Sequence, residues 1–146
     1  MVTGSQERAG VGSIPTELPL KTTEWYVVFT PRLSQSWWYI FTTKEISHCF
    51  AFCQDGPDVI VFDRLTAIDF TIRRNITCNE LAEIYRKEFN FPVLIVTTTQ
   101  PLRLKHYGFL TCVSFVKALL GISSWSFLPQ ALYRTLLKNY NAIEVK

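Results

Sequence analysis

The chain has 146 residues, of which 48% are hydrophobic and 14% aromatic, and its formal net charge is +3. This length predicts one domain with a sizeable core, and this hydrophobicity excludes an intrinsically disordered chain. The positive charges are spread through the sequence and form no long basic tract, which argues against nucleic-acid binding.

Residues 1–22 form the first distinct segment. They are rich in Gly, Ser, Thr and Pro and show no hydrophobic periodicity, so we expect an extended or flexible N-terminal arm ahead of a single α+β domain over residues 23–146. The segment lacks the apolar core of a signal peptide. No apolar run reaches the roughly 18–20 residues that a membrane span needs. We therefore expect a protein that is cytoplasmic on synthesis and has no membrane span.

Five candidate β-strands follow, each rich in β-branched and aromatic residues. They cover residues 24–30, 37–42, 47–54, 58–63 and 67–73. Asp55-Gly56-Pro57 is a strong turn signal, so the third and fourth strands are expected to form a hairpin. If Asp55-Gly56 closes the turn tightly, Gln54 faces Pro57 and the same register pairs residues 48 and 63. A looser turn brings Arg64 or Leu65 opposite residue 48 instead.

Helical signals begin after the fifth strand. Thr77 and Glu80 form a capping box before an apolar face, which predicts a helix over residues 78–89. Residues 93–98 are a strand, and a last helix runs over residues 129–140 with a proline in its first turn. With one further helix, described next, the elements predict an α+β domain in which an antiparallel β-sheet packs with about three helices.

The segment Thr111–Gly121 predicts a short helix with a cysteine in its first turn. Thr111 suits the N-cap, and Gly121 suits a left-handed C-terminal stop. Cys112 then meets free backbone N–H groups and the positive end of the helix dipole, which lower the pKa of a thiol. Apolar residues recur at i+3, i+4, i+7 and i+8 from Cys112, so one helix face is expected to be buried. Cys112 is either a nucleophile or, as many free cysteines are, a small core residue.

A reactive thiol needs a base, and the chain has two histidines, His48 and His106. Alternation along the third strand places His48 on one face with Phe50 and Phe52. His48 is the candidate base, and Asp63 is the acidic side chain near it in the hairpin, where it could orient the ring. The alternatives are a structural buried histidine and a solvated aspartate at a strand end.

The cysteines lack the spacing of a metal site. Cys49, Cys53, Cys78 and Cys112 have none of the close pairs with histidine partners that a zinc site needs. The sequence also contains no glycine-rich phosphate loop. We therefore expect reduced thiols in a reducing compartment, and neither a metal nor a cofactor.

The order of these elements resembles a known family. A histidine opens a strand at Ser47-His48, Asp63 lies on the next strand, and the cysteine helix Thr111–Gly121 follows. This order resembles the circularly permuted branch of the NlpC-type, papain-like superfamily, which includes the lecithin retinol acyltransferase-like proteins. Residues 125–137 also resemble a segment of short phage-encoded proteins of this kind. The resemblance covers about residues 24–140 and implies a permuted papain-like architecture.

The resemblance also implies a chemistry, with Cys112 as nucleophile, His48 as base and Asp63 as orienting group. Such a site belongs to a thiol-dependent amidohydrolase or peptidase, or to an acyltransferase-like enzyme. The phage context implies peptidoglycan peptides as substrate. The region after Cys112 lacks the Asn-Cys or Glu-His pattern of the acyltransferase-like members, which favours the hydrolase over acyl transfer.

A second interpretation is a structural component of a phage virion or tail, which would use the same fold without activity. The aromatic residues that suggest it include Trp25, Trp37, Trp38 and Trp125. Aromatic side chains are enriched at protein interfaces, and the N-terminal arm could clasp a second copy or another virion protein. Tryptophans buried in the core explain the same composition without any partner.

Overall fold

The computed structural model describes residues 22–31, 46–64, 68–99 and 111–146. The strands are β1 (Thr23–Thr30), β2 (His48–Asp55), β3 (Asp58–Arg64), β4 (Ile68–Arg73), β5 (Val93–Thr98) and β6 (Ile143–Glu144). The helices are α1 (Cys78–Phe89), α2 (Cys112–Leu120) and α3 (Pro129–Asn139). The described residues thus confirm the predicted α+β class, with three helices on an antiparallel sheet.

The sheet has the strand order β4-β3-β2-β1-β5-β6, and every neighbouring pair is antiparallel. The predicted bounds of α1 and β5 are confirmed, and α3 ends one residue earlier than predicted. Strand β6 was not predicted, because two exposed residues carry no periodicity. The predicted strand over residues 37–42, His106 and the N-terminal arm up to residue 21 lie outside the described residues.

Strand β1 is the centre of the fold. It lies between β2 and β5, and residues 25–30 are all buried. Alternate side chains enter two separate cores, because helices cover both faces of the sheet. One core contains Trp25, Val27 and Phe29 with residues of α2 and α3. The other contains Tyr26 and Val28 with residues of α1.

The hairpin between β2 and β3 forms, and its register is the second of the two that the sequence allows, shifted by two residues from the register of a tight Asp55-Gly56 turn. Asp55 pairs with Asp58, so Gly56 and Pro57 form a two-residue turn. Gly56 takes the left-handed φ of 59° that this turn requires. The observed turn keeps Pro57 out of the ladder, where it could not donate a hydrogen bond. Gln54 Nε2 closes the turn by donating to the Gly56 and Asp58 carbonyl oxygens at 3.1 and 3.0 Å.

No helix within the described residues is long and apolar enough to cross a bilayer. The longest is α1, with 12 residues, whereas a spanning helix needs about 20.

Candidate active site

Helix α2 presents Cys112 at its N-terminus, and the local sequence explains why. Thr111 Oγ1 accepts a hydrogen bond from the Ser114 N–H, and Ser114 Oγ accepts one from the Thr111 N–H, both at 3.1 Å. This reciprocal capping box fixes the start of the helix. Gly121 ends it with a left-handed φ of 66°. The predicted cap and stop are confirmed, and Cys112 is the first helical residue.

The side chains of α2 divide between the core and the surface. The buried residues are Val113, Phe115, Val116, Leu119 and Leu120. Cys112 itself is half-buried and packs at the margin of this core. A nucleophile needs such a position, because it must be held firmly and still be reached by a substrate.

His48 and Asp63 form a hydrogen-bonded pair across β2 and β3. His48 Nε2 lies 2.7 Å from Asp63 Oδ1, and the same oxygen accepts the Arg64 backbone N–H at 2.6 Å. His48 is only 2% exposed, whereas the Asp63 side chain is 31% exposed. The partly exposed Asp63 carboxylate therefore holds the buried His48 ring in one orientation.

The pair forms although the tight-turn register, which would place Asp63 directly opposite His48, is not the observed one. Continued along the strands, the observed register would place Asp63 opposite Phe50 rather than opposite His48. His48, Phe50 and Asp63 share one face of the sheet, because residues two apart on a strand point the same way. Asp63 therefore reaches His48 along the diagonal, a distance that polar side chains can span.

The Cys112 sulfur meets two neighbours on β2. The Cys49 thiol hydrogen-bonds it, and so does the His48 ring. Since Nε2 of His48 is engaged by Asp63, Nδ1 is the ring nitrogen that remains for the sulfur. The structure thus brings together the three residues that the sequence analysis singled out, Cys112, His48 and Asp63, and adds Cys49.

These contacts lower the pKa of Cys112 to about 5. The hydrogen bond from the Cys49 thiol is the largest cause, and burial opposes it. The hydrogen bond and positive charge of His48 lower the pKa further, as does the Cys49 backbone N–H. Each of these groups favours the thiolate because each donates a hydrogen bond or carries the opposite charge.

The pKa of His48 is raised to about 9. Burial is the strongest single influence and disfavours the charged ring, but it is outweighed. Hydrogen bonds to Asp63 and Cys112, together with their negative charges, favour the imidazolium. The two shifts have opposite signs, and both favour a thiolate–imidazolium pair near neutral pH. The thiolate is the reactive form of a cysteine.

The sheet opens where α2 begins, and this explains how one sulfur reaches both His48 and Cys49. The pairing of β2 with β3 ends at Ala51 and Phe62. The Phe29 N–H donates to the Pro92 carbonyl oxygen, on the side of β1 where β5 lies. The residues of β1 on either side of Phe29 therefore direct their backbone N–H and C=O groups towards β2. In β2, Cys49 consequently directs its backbone N–H and C=O groups towards β3, at a position past Ala51–Phe62, the last pair of the two strands. There its N–H hydrogen-bonds the Cys112 sulfur instead of a strand.

The sequence analysis missed Cys49 as a member of the site. Alternation places its side chain on the face of α2 and that of His48 on the face of α1. A single side chain contacts neighbours from opposite faces only at a break in strand pairing, and no local pattern indicates this break. The one available signal was that Cys49 directly follows His48 in the chain.

The first turn of α2 also brings backbone N–H groups to the site. The Ser114 N–H is bonded to Thr111 Oγ1 and the Phe115 N–H to the Thr111 carbonyl oxygen. No acceptor within the described residues bonds the N–H of Cys112 or Val113. These two N–H groups lie at the positive end of the helix, beside the sulfur, where they could stabilise an oxyanion.

Two other features of the described residues lie apart from this arrangement. A cavity of about 560 Å³ is found at the opposite end of β2, where Cys53, Gln54 and Asp55 contribute to its lining. None of the three paired site residues lines it. The described part of the chain contains no group of three or more His, Cys, Asp or Glu side chains that could hold a metal ion. The four cysteines, which all lie in the described part of the chain, form no disulfide.

The arrangement brings together a thiol of lowered pKa, an imidazole, a carboxylate hydrogen-bonded to that imidazole, and the first-turn N–H groups of a helix. These are the parts that covalent acyl transfer requires. Comparison with protein-family models, with curated proteins and with solved structures gave no match to this chain.

Proposed function

We propose that this protein is a thiol-dependent hydrolase that cleaves amide or ester bonds through an acyl-Cys112 intermediate. One observation carries the proposal: a half-buried cysteine at a helix N-terminus pairs with an imidazolium that a carboxylate holds in place. An inert core cysteine has its pKa raised by burial, as Cys78 has to about 12. The pKa of Cys112 is shifted in the opposite direction, below its ordinary value.

The reaction begins when the Cys112 thiolate attacks the substrate's carbonyl carbon and the carbonyl electron pair moves to oxygen. The N–H groups of Cys112 and Val113 stabilise this oxyanion, and removing one such donor costs roughly 3–4 kcal/mol in known cases. His48 gives its Nδ1 proton to the leaving amine or alkoxide as the bond to carbon breaks, which leaves a thioester. Water then attacks the thioester while His48 takes its proton, and the acid and thiolate are released.

The order of the elements supports a permuted papain-like architecture for this enzyme. The histidine strand β2 comes first, the aspartate strand β3 second and the cysteine helix α2 last. On this basis we propose peptide amide bonds as the substrate class, with peptidoglycan peptides as the first substrates to examine.

The test is acylation and turnover with p-nitrophenyl acetate as a minimal ester. We expect nitrophenolate release over many turnovers and an acetyl group mapped to Cys112 by mass spectrometry. Cys112→Ala should lose all of this activity, and His48→Gln should lose about 10²–10⁴-fold. Cys53→Ala, the loss of another half-buried thiol, is the matched control and should leave the rate unchanged.

The amide step needs its own substrate. Soluble peptidoglycan peptides incubated with the protein should acquire new amino termini, detected by amine labelling and mass spectrometry. Acetylation spread equally over the four thiols, or a Cys112→Ala variant as active as the wild type, would refute the proposed function.

We propose a structural role in a virion or tail as the second candidate. The observation that favours it is the exposed aromatic pair Trp125 and Phe127, which are 89% and 68% exposed. Trp25, by contrast, is buried in the core and offers no surface. Self-assembly seen by analytical ultracentrifugation, and lost in the Trp125→Ala variant, would support this role. A monomer at all concentrations would count against self-association.

A further inference from the structure

We propose that Cys49 is a resolving thiol, which forms a reversible disulfide with Cys112 after a hydroperoxide has oxidised Cys112. The disulfide would protect the nucleophile from irreversible oxidation and switch the site off. The switching consequence rests on the proposed function, whereas the formation of the disulfide requires only the two thiols.

The positions of the two sulfurs carry this inference. Cys49 lies in the core shared with α2, and Cys112 packs against the same core. A hydrogen bond between the two thiols raises the pKa of Cys49 and lowers that of Cys112, so the two side chains that share this core are also neighbours. Cys49 is 1% exposed and Cys112 is half-buried, so a solvent oxidant meets Cys112 first.

The first step is the attack of the Cys112 thiolate on a hydroperoxide. A sulfur–oxygen bond forms, the oxygen–oxygen bond breaks, and the alcohol or water leaves with one proton from solvent. The sulfur loses two electrons and becomes a sulfenic acid. The low pKa of Cys112 favours this step, because the thiolate is the form that reacts.

The second step joins the two cysteines. The Cys49 sulfur attacks the sulfenic sulfur, the sulfur–sulfur bond forms and the sulfur–oxygen bond breaks. The Cys49 proton and the departing hydroxide leave as water. Burial raises the pKa of Cys49, so its thiol is protonated at rest; the proton passes to the departing hydroxide as the sulfur–sulfur bond forms, and the raised pKa makes this step slower than the attack of an ordinary thiol. Two-electron reduction by an external thiol then restores both cysteines.

The other thiols provide an internal comparison. Cys53 lies on the same strand as Cys49, and Cys78 begins helix α1 on the other face of the sheet. Neither contacts Cys112 in the hydrogen bonds that set its pKa. A disulfide that formed simply because thiols were abundant would not select Cys49 and Cys112.

The experiment treats the full chain with hydrogen peroxide, blocks free thiols, and maps disulfides by non-reducing peptide mass spectrometry. We expect a Cys49–Cys112 disulfide that dithiothreitol reverses completely. Cys49→Ala also removes the hydrogen bond that most lowers the pKa of Cys112, so the two proteins are compared at equal loss of the free Cys112 thiol and not at equal times. In this variant dimedone should trap the Cys112 sulfenic acid, and further peroxide should convert Cys112 to sulfinic acid that dithiothreitol does not recover. Cys53→Ala should behave like the wild type. Circular dichroism before oxidation verifies that each variant is folded.

Three results would overturn the inference. They are a disulfide mapped to another pair, no disulfide at all, or the same yield of sulfinic acid per Cys112 oxidised in the wild type and in Cys49→Ala. The readout needs no substrate, so it separates the two proposals. If the disulfide forms and no acyl-enzyme is found, the resolving role of Cys49 stands and the proposed hydrolase activity is refuted. If the acyl-enzyme forms and the disulfide does not, only the resolving role is refuted.

Discussion

The charge states of Cys112 and His48 define the pH range in which the site can act. The pKa of Cys112 is lowered to about 5 and that of His48 is raised to about 9. Below the first value the sulfur is protonated and stops attacking. Above the second value the ring has lost the proton that the leaving group needs. The expected pH–rate profile is therefore a bell with limbs near these values, and both limbs belong to the coupled pair.

Alkylation tests the lower limb without a substrate. At pH 6 Cys112 is mostly thiolate, whereas an ordinary thiol is on the order of a hundredfold less ionised. A low pKa also weakens the nucleophile, so we expect iodoacetamide to label Cys112 roughly tenfold or more faster than Cys53 at pH 6. Peptide mass spectrometry over time gives both rates. Equal, slow labelling of the two residues would contradict the thiolate assignment.

Asp63→Asn tests the orienting carboxylate. Asp63 helps to raise the pKa of His48, so the amide should lower that pKa and move the upper limb of the pH–rate profile to lower pH. Activity should fall by up to about 10⁴-fold, the loss found when the orienting carboxylate of a serine triad becomes an amide. Asp55→Asn makes the same charge change at the exposed end of the hairpin and should leave the profile in place. An unmoved upper limb in Asp63→Asn would show that the ring does not depend on this partner.

At the scale of elements, two identical caps in one chain provide a matched comparison. Thr111 caps α2, and Thr77 caps α1 through a reciprocal capping box of the same design. Replacing either residue with alanine should cost about 1 kcal/mol of unfolding free energy, measured with urea. Only Thr111→Ala should slow the alkylation of Cys112, because only that cap positions the thiol. Equal effects of the two variants on alkylation would mean that the helix start does not set the reactivity.

The elements differ in how far sequence could predict them. Caps and stops were predictable, because Thr111, Thr77 and Gly121 act on backbone groups a few residues away. The hairpin register was predictable only as a pair of alternatives, because several turn geometries fit Asp55-Gly56-Pro57. Moving the turn by one residue shifts each cross-strand partner by two, which keeps every side chain on its own face of the sheet. Asp63 therefore lies on the face of His48 in the observed register as well as in the tight one.

Contacts between distant parts of the chain could not be predicted from the sequence, for a different reason. The contact of Cys49 with Cys112 depends on where β2 and β3 stop pairing, and on which end of α2 meets that opening. Both are properties of the packed sheet rather than of any window of residues. The same limit applies to Trp25 and Trp125, which have the same side chain but are 4% and 89% exposed.

At the scale of the whole molecule, the site lies between two cores. His48 belongs to the face of the sheet that α1 covers, and Cys112 begins a helix on the other face. Cys112 can contact His48 because the pairing of β2 and β3 ends at Ala51. The contact of Cys112 with His48 therefore links the start of α2 to the side of β2 that faces α1, and the charge state of this pair should affect global stability.

The pH dependence of unfolding tests this link, and its sign follows from the two pKa values. Cys112 has a folded pKa of about 5, below its ordinary value of 9.0, so its stabilisation is complete above 9.0 and is lost as pH falls through about 5. His48 has a folded pKa of about 9, above its ordinary 6.5, so its stabilisation is complete below 6.5 and is lost as pH rises through about 9. The two slopes cancel between pH 6.5 and 9, which leaves a rise between pH 5 and 6.5.

We therefore expect the wild type to gain about 2 kcal/mol over Cys112→Ser between pH 5 and 6.5, because each unit of pH is worth about 1.4 kcal/mol for one proton. Serine does not titrate in this range. Taking the difference in unfolding free energy between the two proteins removes the contribution of the carboxylates, which both proteins share. Urea unfolding of both proteins at a series of pH values measures this difference, which should not fall again before pH 9. A constant difference across this range would mean that Cys112 carries no charge in the folded protein, and the ion pair on which the proposed chemistry depends would be absent.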